Sequence, residues 1–275
     1  MRVAIVPRNP LHSPQMQSND AAILGAVERE LVQQGHTVER LGEGDDYSGY
    51  DIICNMSRTH DVLLRLKKAE AEGRIVLNSP EAVERCSRSA MTTILEKNNI
   101  PQPTHKHITC ASDLCTAPYP AWIKKSEGWS CRIEDVAYIT NSKEAAEAFN
   151  TIKSNEGCNA ILFEHIAGDL IKFYGVGGRY FSHSYPAPEK TKFGLEKING
   201  SPKHHAFSTQ KLESTAFLAA KALGLEIFGG DAIITPDGEI FIIDINDFPS
   251  FTAVRDEAAA HIAKAIINAK KDIND

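Results

Sequence analysis

Asp231, Asp244 and Asn246 are the residues of this 275-residue chain whose types and spacing point most directly to chemistry. They lie in GGDAIITPDGEIFIIDINDF, two isoleucine-rich runs around a Pro236-Asp237-Gly238 turn, the pattern of a β-hairpin. Asp231 comes early in the first strand and Asp244 late in the second, so the two can face each other across the ladder. Asn246, two residues on, shares the face of Asp244. Ile233, Ile242, Ile243 and Ile245 make the surroundings apolar. Two carboxylates that close in an apolar setting are costly unless a cation joins them. Hard oxygen donors in small number suit Mg²⁺ held partly by substrate phosphates. The alternative is an ordinary hairpin with exposed acids. Asp237 and Asp247 read as solvated turn residues.

Two lysines add to this picture. Lys124 sits in the apolar run YPAWIKK, and Lys172 lies mid-strand in DLIKFYGV. An ammonium on an apolar strand is expensive unless it reaches an anion. A polar stretch from Ala187 to Ala206 carries Lys190, Lys192, Lys197, Lys203, His204 and His205 without hydrophobic period. It reads as a long loop, either functional or simply solvated.

The elements that must position these groups follow from hydrophobic period. In the first 80 residues, short apolar runs (Arg2–Pro7, His36–Leu41, Tyr50–Cys54, Arg74–Leu77) alternate with amphipathic stretches (Asn19–Gln34, Leu63–Ala71). That order predicts a small open α/β sheet. Ser79 and Pro80 start a helix that runs, with an interruption, to Asn98, and Ile100-Pro101-Gln102-Pro103 ends it. Strands follow near Lys106–Thr109, Ala121–Lys125 and Val136–Thr140, then a helix Ser142–Phe149. Ala160–His165 is a strand. A Gly168-Asp169 turn leads into Ile171–Val176, and Gly177-Gly178 turns the chain into Tyr180–Tyr185. A helix Ser208–Leu223, the acidic hairpin and a helix Thr252–Lys271 complete the chain.

Composition narrows the class. Hydrophobic residues at 42% and charged residues at 24% are ordinary globular values, which excludes disordered and fibrous chains. The net charge of −6 argues against broad phosphate neutralisation of nucleic acid. No run is long and apolar enough to span a membrane, and the N-terminus does not resemble a secretory signal. Six cysteines without Cys-x-x-Cys spacing read as reduced thiols in a cytoplasmic protein. There is no dinucleotide fingerprint after the first strand, no P-loop and no Gly-x-Ser-x-Gly.

The acidic hairpin resembles the metal-binding end of the ATP-grasp superfamily, in which an acid on one strand is followed by acid-x-Asn on the next. The match here is Asp231, then Asp244-Ile245-Asn246, then Phe248-Pro249. The wording IIDINDFPSF is similar to glutathione synthetases, ribosomal-protein glutamate ligases and inositol trisphosphate kinases, with Ser250 where many members have Gly. The resemblance covers nearly the whole chain. It implies an α/β (α+β) architecture: an ATP-grasp domain over residues 79–275 preceded by a small α/β domain over 1–78. Within the former, about 102–165 would be the nucleotide-covering lobe and 166–275 the metal-binding lobe.

What the resemblance implies for the site is specific. Arg88, in VLNSPEAVERCSRSAMTTILEKNNIPQPTH, stands where relatives place a phosphate-binding lysine; the alternative is a solvated helix charge. Lys124 is the second nucleotide-binding lysine by register, in preference to Lys125. Ser126–Ser130 would cover the phosphates, with Trp129 otherwise a surface aromatic. Backbone at Glu164, His165 and Ile166 would meet the adenine edge, and Asp169 the ribose, unless it is a plain turn aspartate. Lys172 would touch the transferred phosphate. Ligases of this kind carry an arginine after the Gly-Gly turn to hold an acyl phosphate. Phe181–Tyr185 has none, so Arg179 is the candidate, catalytic together with Lys172. Arg8 and His12 are candidates for substrate contact. The implied reactants are ATP, Mg²⁺, a small-molecule carboxylate and a small-molecule amine, in an ADP-forming ligase. A kinase of a small phosphorylated polyol and a nucleotide-binding regulator are the alternatives. Neither nucleic acid nor membrane is expected as a partner, and homodimer formation stays open.

Overall fold

The computed structural model describes residues 1–186 and 194–271. Strand β1 (Arg2–Val6) is covered on both faces, and its side chains divide by the period of two. Val3 and Ile5 enter one core and Ala4 and Val6 another. It leads to α1 (Gln17–Gln33), β2 (Thr37–Arg40), β3 (Ile52–Asn55), α2 (His60–Ala71) and β4 (Ile75–Leu77). These strands form a parallel sheet in the order β2-β1-β3-β4, as the alternating pattern predicts.

The helical segment after β4 is broken in two. Ser79 Oγ accepts from the Ala82 amide at 3.1 Å at the start of α3 (Pro80–Arg85). The interruption falls at Ser87, which makes Arg88 the first residue of α4 (Arg88–Lys97). A four-stranded antiparallel sheet follows, built from β5 (His105–Ile108), β6 (Ala121–Lys125), β7 (Val136–Ile139) and β8 (Ala160–Glu164), in the order β5-β8-β6-β7. Its helix α5 (Ser142–Glu156) is longer than the sequence pattern suggests and is capped by Asn141. Ala145, Phe149 and Ile152 keep the helical spacing into the core, but the polar residues between them mask it.

The second antiparallel sheet carries the acids. Its strands are β9 (Asp169–Val176), β10 (Tyr180–Ser184), β11 (Ile227–Ile234) and β12 (Ile240–Asp247), in the order β10-β9-β11-β12. Helix α6 (Thr209–Leu223) covers one face with Leu212, Ala216, Ala219 and Leu223. Helix α7 (Arg255–Lys271) returns to the first sheet, where Ala258, Ile262 and Ile266 pack with Ile23, Val27 and Leu31 of α1. The C-terminal helix thus completes the N-terminal core and ties the chain's two ends together. No helix among the described residues is long and apolar enough to cross a membrane. No disulfide bond forms among the described residues.

Candidate active site

A cavity of about 460 Å³ opens where the three sheets meet. Pro103, Trp122, Phe163, Leu170, Ile233 and Ile243 give it an apolar wall. Asp231, Asp244 and Asn246 line it together with Arg88, Lys124 and Lys172, so six residues picked from sequence converge on one space.

The pairing of the two acids depends on a bulge that the sequence does not announce. From the turn, Ile234 pairs with Ile240, Ile233 with Phe241 and Ala232 with Ile242. Continued without a break, that register sets Asp231 against Ile243 and turns Asp244 to the opposite face. A β-bulge between Asp231 and Ala232 absorbs Ile243, and Asp231 then pairs with Asp244. The bulged residue has a second use, since its carbonyl accepts from Lys124 Nζ at 3.5 Å. Gly230 permits the close strand approach beside the acids. A Cβ there would stand 2.3 Å from the Asp244 carbonyl and 2.5 Å from the Phe173 ring.

Asn246 donates its amide to Asp244 Oδ2 at 3.1 Å, and its side-chain oxygen accepts no hydrogen bond among the described residues. Two carboxylates and a vacant amide oxygen form a hard donor set that fits Mg²⁺. Among the described residues no group of three or more His, Cys, Asp or Glu gathers as a metal cluster. A cation held here therefore relies on the asparagine and on oxygens from a substrate.

The charges interlock. Lys172 Nζ lies 3.0 Å from Asp231 Oδ1. Burial, and then Arg88 beside it, lower the Lys124 ammonium to about 8, which Asp244 and Asp231 only partly offset. Burial pushes the Asp244 carboxyl up, but Arg88, Lys124 and the Asn246 amide outweigh it and hold the group below its ordinary range. Arg88 is a buried helix-start arginine, not a solvated one. It donates to the Lys125 carbonyl at 3.1 Å and Ser130 Oγ at 3.3 Å, and its Nε is buried without a partner. Lys125 instead faces Asp135 at 3.7 Å, so Lys124 is the lysine that enters the cavity.

Glu164 and Ile166 line the cavity, and the Ile166 amide makes no hydrogen bond among the described residues. It is an open donor at the edge of the apolar wall. His165 is turned away: its Nδ1 accepts from Trp122 Nε1 at 3.1 Å and its ring packs on Tyr138.

Other residues singled out in the sequence lie elsewhere. Asp169 is neither a turn residue nor a cavity residue. It begins β9, is buried, and both its oxygens accept backbone amides, from Lys203 and His205 at 2.7 Å each. Burial raises its carboxyl, but those two amides and the neighbouring histidines bring it below its usual range. It is a staple for the segment before α6. Asp169→Asn should free an amide there, so that Lys203 and His205 exchange hydrogen about tenfold faster while ATP affinity holds. A large loss of ATP affinity with unchanged exchange would restore the ribose role. Arg179 lies exposed beside the β9–β10 turn and does not line the cavity. Lys172 pairs with Ser184 at the other end of this hairpin, about 13 Å along the strand from the turn.

Residues 187–193 of the basic loop lie outside the described residues, among them Lys190 and Lys192. In the remainder, a short 3-10 turn at Leu195–Asn199 replaces the expected irregular chain. Leu195 and Asn199 line the cavity, whereas Lys197, Lys203, His204 and His205 do not.

Three residues were not anticipated. Asp247 is fully buried and bridges Arg58, with Nη2 at 2.6 Å, and Arg8, at 3.3 Å. Trp129, far from being a surface aromatic, carries the Arg58 guanidinium 5.0 Å over its ring. Arg8 and His12 also line the cavity.

No protein-family model matches this sequence, and no curated protein does. The likeness is in three dimensions. D-alanine–D-alanine ligase from Bacillus anthracis, solved with ATP, superposes at TM-score 0.70 and 12% identity, over 99% of this chain and 98% of that one. VanG D-Ala:D-Ser ligase from Enterococcus faecalis gives 0.72 at 12% identity, over 98% and 99%. An ATP-grasp RimK-domain protein from Sphaerobacter thermophilus gives 0.66 at 15%, over 97% and 100%. The chain has the ATP-grasp fold from end to end.

Proposed function

We propose that the protein is an ATP- and Mg²⁺-dependent ligase that joins a carboxylate to an amine and releases ADP and phosphate. One observation carries the reading: Lys124, Lys172 and Arg88 converge with Asp231, Asp244 and Asn246 in one cavity beside an apolar wall with an open amide donor. The wall and the Ile166 N–H suit a purine, and the three cations suit its phosphates. Asp231, Asp244 and Asn246 would hold Mg²⁺, which when bound supplies charge neutralisation on phosphate oxygens. The chain's own cations do the same from the other side. A substrate carboxylate attacks the γ-phosphorus and ADP leaves. The amine then attacks the acyl carbon of the resulting acyl phosphate, phosphate leaves, and the amine's surplus proton passes to solvent. No protein nucleophile is required, so catalysis is positioning and electrostatics. The structural neighbours named as ligases support this, and cysteines that form no disulfide among the described residues suit a cytoplasmic setting. The polyol-kinase alternative gains no support from the described part of the basic loop, whose cationic side chains lie off the cavity.

The test is ADP release from pools of amino acids, dipeptides and phosphorylated polyols, with product masses. The ligase reading requires a carboxylate and an amine together and a condensed product. A single substrate that gains a phosphate mass would replace it with the kinase.

Lys124 gives the nucleotide assignment a pH signature. Titrating near 8 without ligand, the lysine must be protonated to hold a phosphate. ATP affinity should therefore be greatest below pH 8 and fall as pH rises above it, by up to about tenfold per unit. Calorimetric titration of Lys124→Arg should show a flat profile there, because a guanidinium stays charged. A wild-type slope in that variant would place the titrating group elsewhere.

A further inference from the structure

We propose that the N-terminal end of the cavity, around Arg58 and His12, binds a carboxylate of the substrate that does not itself react. Arg58 is 7% exposed and follows β3. Its Nε and Nη2 are committed to Asp247 Oδ1, at 2.8 and 2.6 Å. Its Nη1 makes no hydrogen bond among the described residues, although Arg58 lines the cavity. Nη1 is thus the nitrogen that this guanidinium can still offer to an acceptor in the cavity. Arg8 is already engaged inside the protein. Its Nε, Nη1 and Nη2 are taken by the Met56 carbonyl, Asp20 and the Asp247–Phe248 end of β12.

His12 stands at the same end. Neither of its ring nitrogens has a partner among the described residues, and its ring lies 5.9 Å from Trp129, which also lies over Arg58. The formal charges of Arg8, Arg58, Asp20 and Asp247 cancel, but the field at His12 does not. Burial, then Arg58 and Arg8, lower its pKa, and each arginine outweighs Glu43 and Asp247 there. The imidazole is neutral at pH 7 and offers one N–H in a positive local field. One guanidinium nitrogen and one imidazole N–H match the two oxygens of a carboxylate and leave a phosphate's third oxygen without a donor.

Asp247, the anchor of Arg58, directly follows the candidate metal ligand Asn246, about 3.4 Å along the strand. Arg58 and Asn246 both line this one cavity, so a single bound molecule has access to both. That the carboxylate belongs to a substrate rests on the ligase reading; its binding does not.

The experiment needs no turnover. The chain has two tryptophans, and Trp122→Phe leaves Trp129 as the sole reporter. Succinate, its diamide and inorganic phosphate are titrated separately against the full-length protein. Succinate should give a saturable change in Trp129 fluorescence, with succinamide silent and phosphate at least about tenfold weaker. Arg58→Lys keeps a charge for Asp247 but loses the free edge, and should weaken succinate about tenfold or more. If that variant fails to fold, His12→Phe decides, since it keeps a ring without nitrogens and should cost about threefold. Equal responses to succinate and succinamide, phosphate as tight as succinate, or unchanged succinate affinity in a folded variant would overturn the proposal. Since ADP release is not read, a failure here is distinct from a failure of the ligase reading.

Discussion

Asp244→Asn is expected to reduce ATP turnover by roughly 10²–10³-fold, the scale on which preorganised charge at a reacting centre is lost. The substitution keeps the side-chain volume and the contact with Asn246, so the hairpin register should survive. Its cost in stability has a definite sign. Two acids facing each other suggest that removing one relieves repulsion. Asp244, however, sits among Arg88, Lys124 and the Asn246 amide, and its carboxyl is held below its ordinary range. A carboxylate so depressed contributes stability above the unfolded carboxylate range, lost only as pH falls through the folded value. At neutral pH the variant should therefore melt slightly lower than wild type, not higher. The same change removes one of the two charges that support the Lys124 ammonium, which should move further below about 8. The residual ATP affinity would then decline at a lower pH than in wild type. Melting curves, ADP release and ATP titrations at several pH values measure the three effects separately. Turnover equal to wild type would end the assignment of Asp244 to the reaction.

Much of this molecule is written in its local sequence, and what is not has a physical reason. The helix-strand order follows from hydrophobic period, because each element is decided within a few residues, whereas the choice of Lys124 over Lys125 came with the family resemblance. The bulge at Ile243 is a different matter. An inserted residue in an isoleucine run has no distinctive side chain, yet it decides whether Asp231 and Asp244 share a face. Asp169 follows a glycine and reads as a turn, but its amide partners lie 34 and 36 residues away. Arg58 and Asp247 are 189 residues apart. Nothing in Asn-Met-Ser-Arg announces a partner in Asn-Asp-Phe-Pro, and the proline made Asp247 look like a surface turn. The one available signal was an arginine in the short stretch between a fully buried strand and a helix.

That pair should also dominate the stability of the junction between the first sheet and the acid-bearing strand. Asp247 is wholly buried, and it bridges two arginines that are themselves only 7% exposed. The favourable contact does not set the cost of losing it. Removing the acid leaves the largely buried Arg58 guanidinium without its counter-charge and Arg8 with Asp20 alone. Asp247→Asn, which conserves shape, should therefore destabilise the protein by about 3–5 kcal/mol in urea unfolding. For a chain of this size that lowers Tm by roughly 6–20 °C. Glu81→Ala, which breaks the exposed i,i+4 pair with Arg85, is the matched control and should cost no more than about 0.5 kcal/mol. The contrast isolates burial, since both changes delete one carboxylate facing arginine at 2.6 Å. Replacing Arg58 as well as Asp247 with apolar residues should recover part of the loss, because fewer uncompensated charges remain. Equal, small losses for Asp247→Asn and Glu81→Ala would mean that water reaches the junction, and that the first sheet is not locked to β12 through this carboxylate.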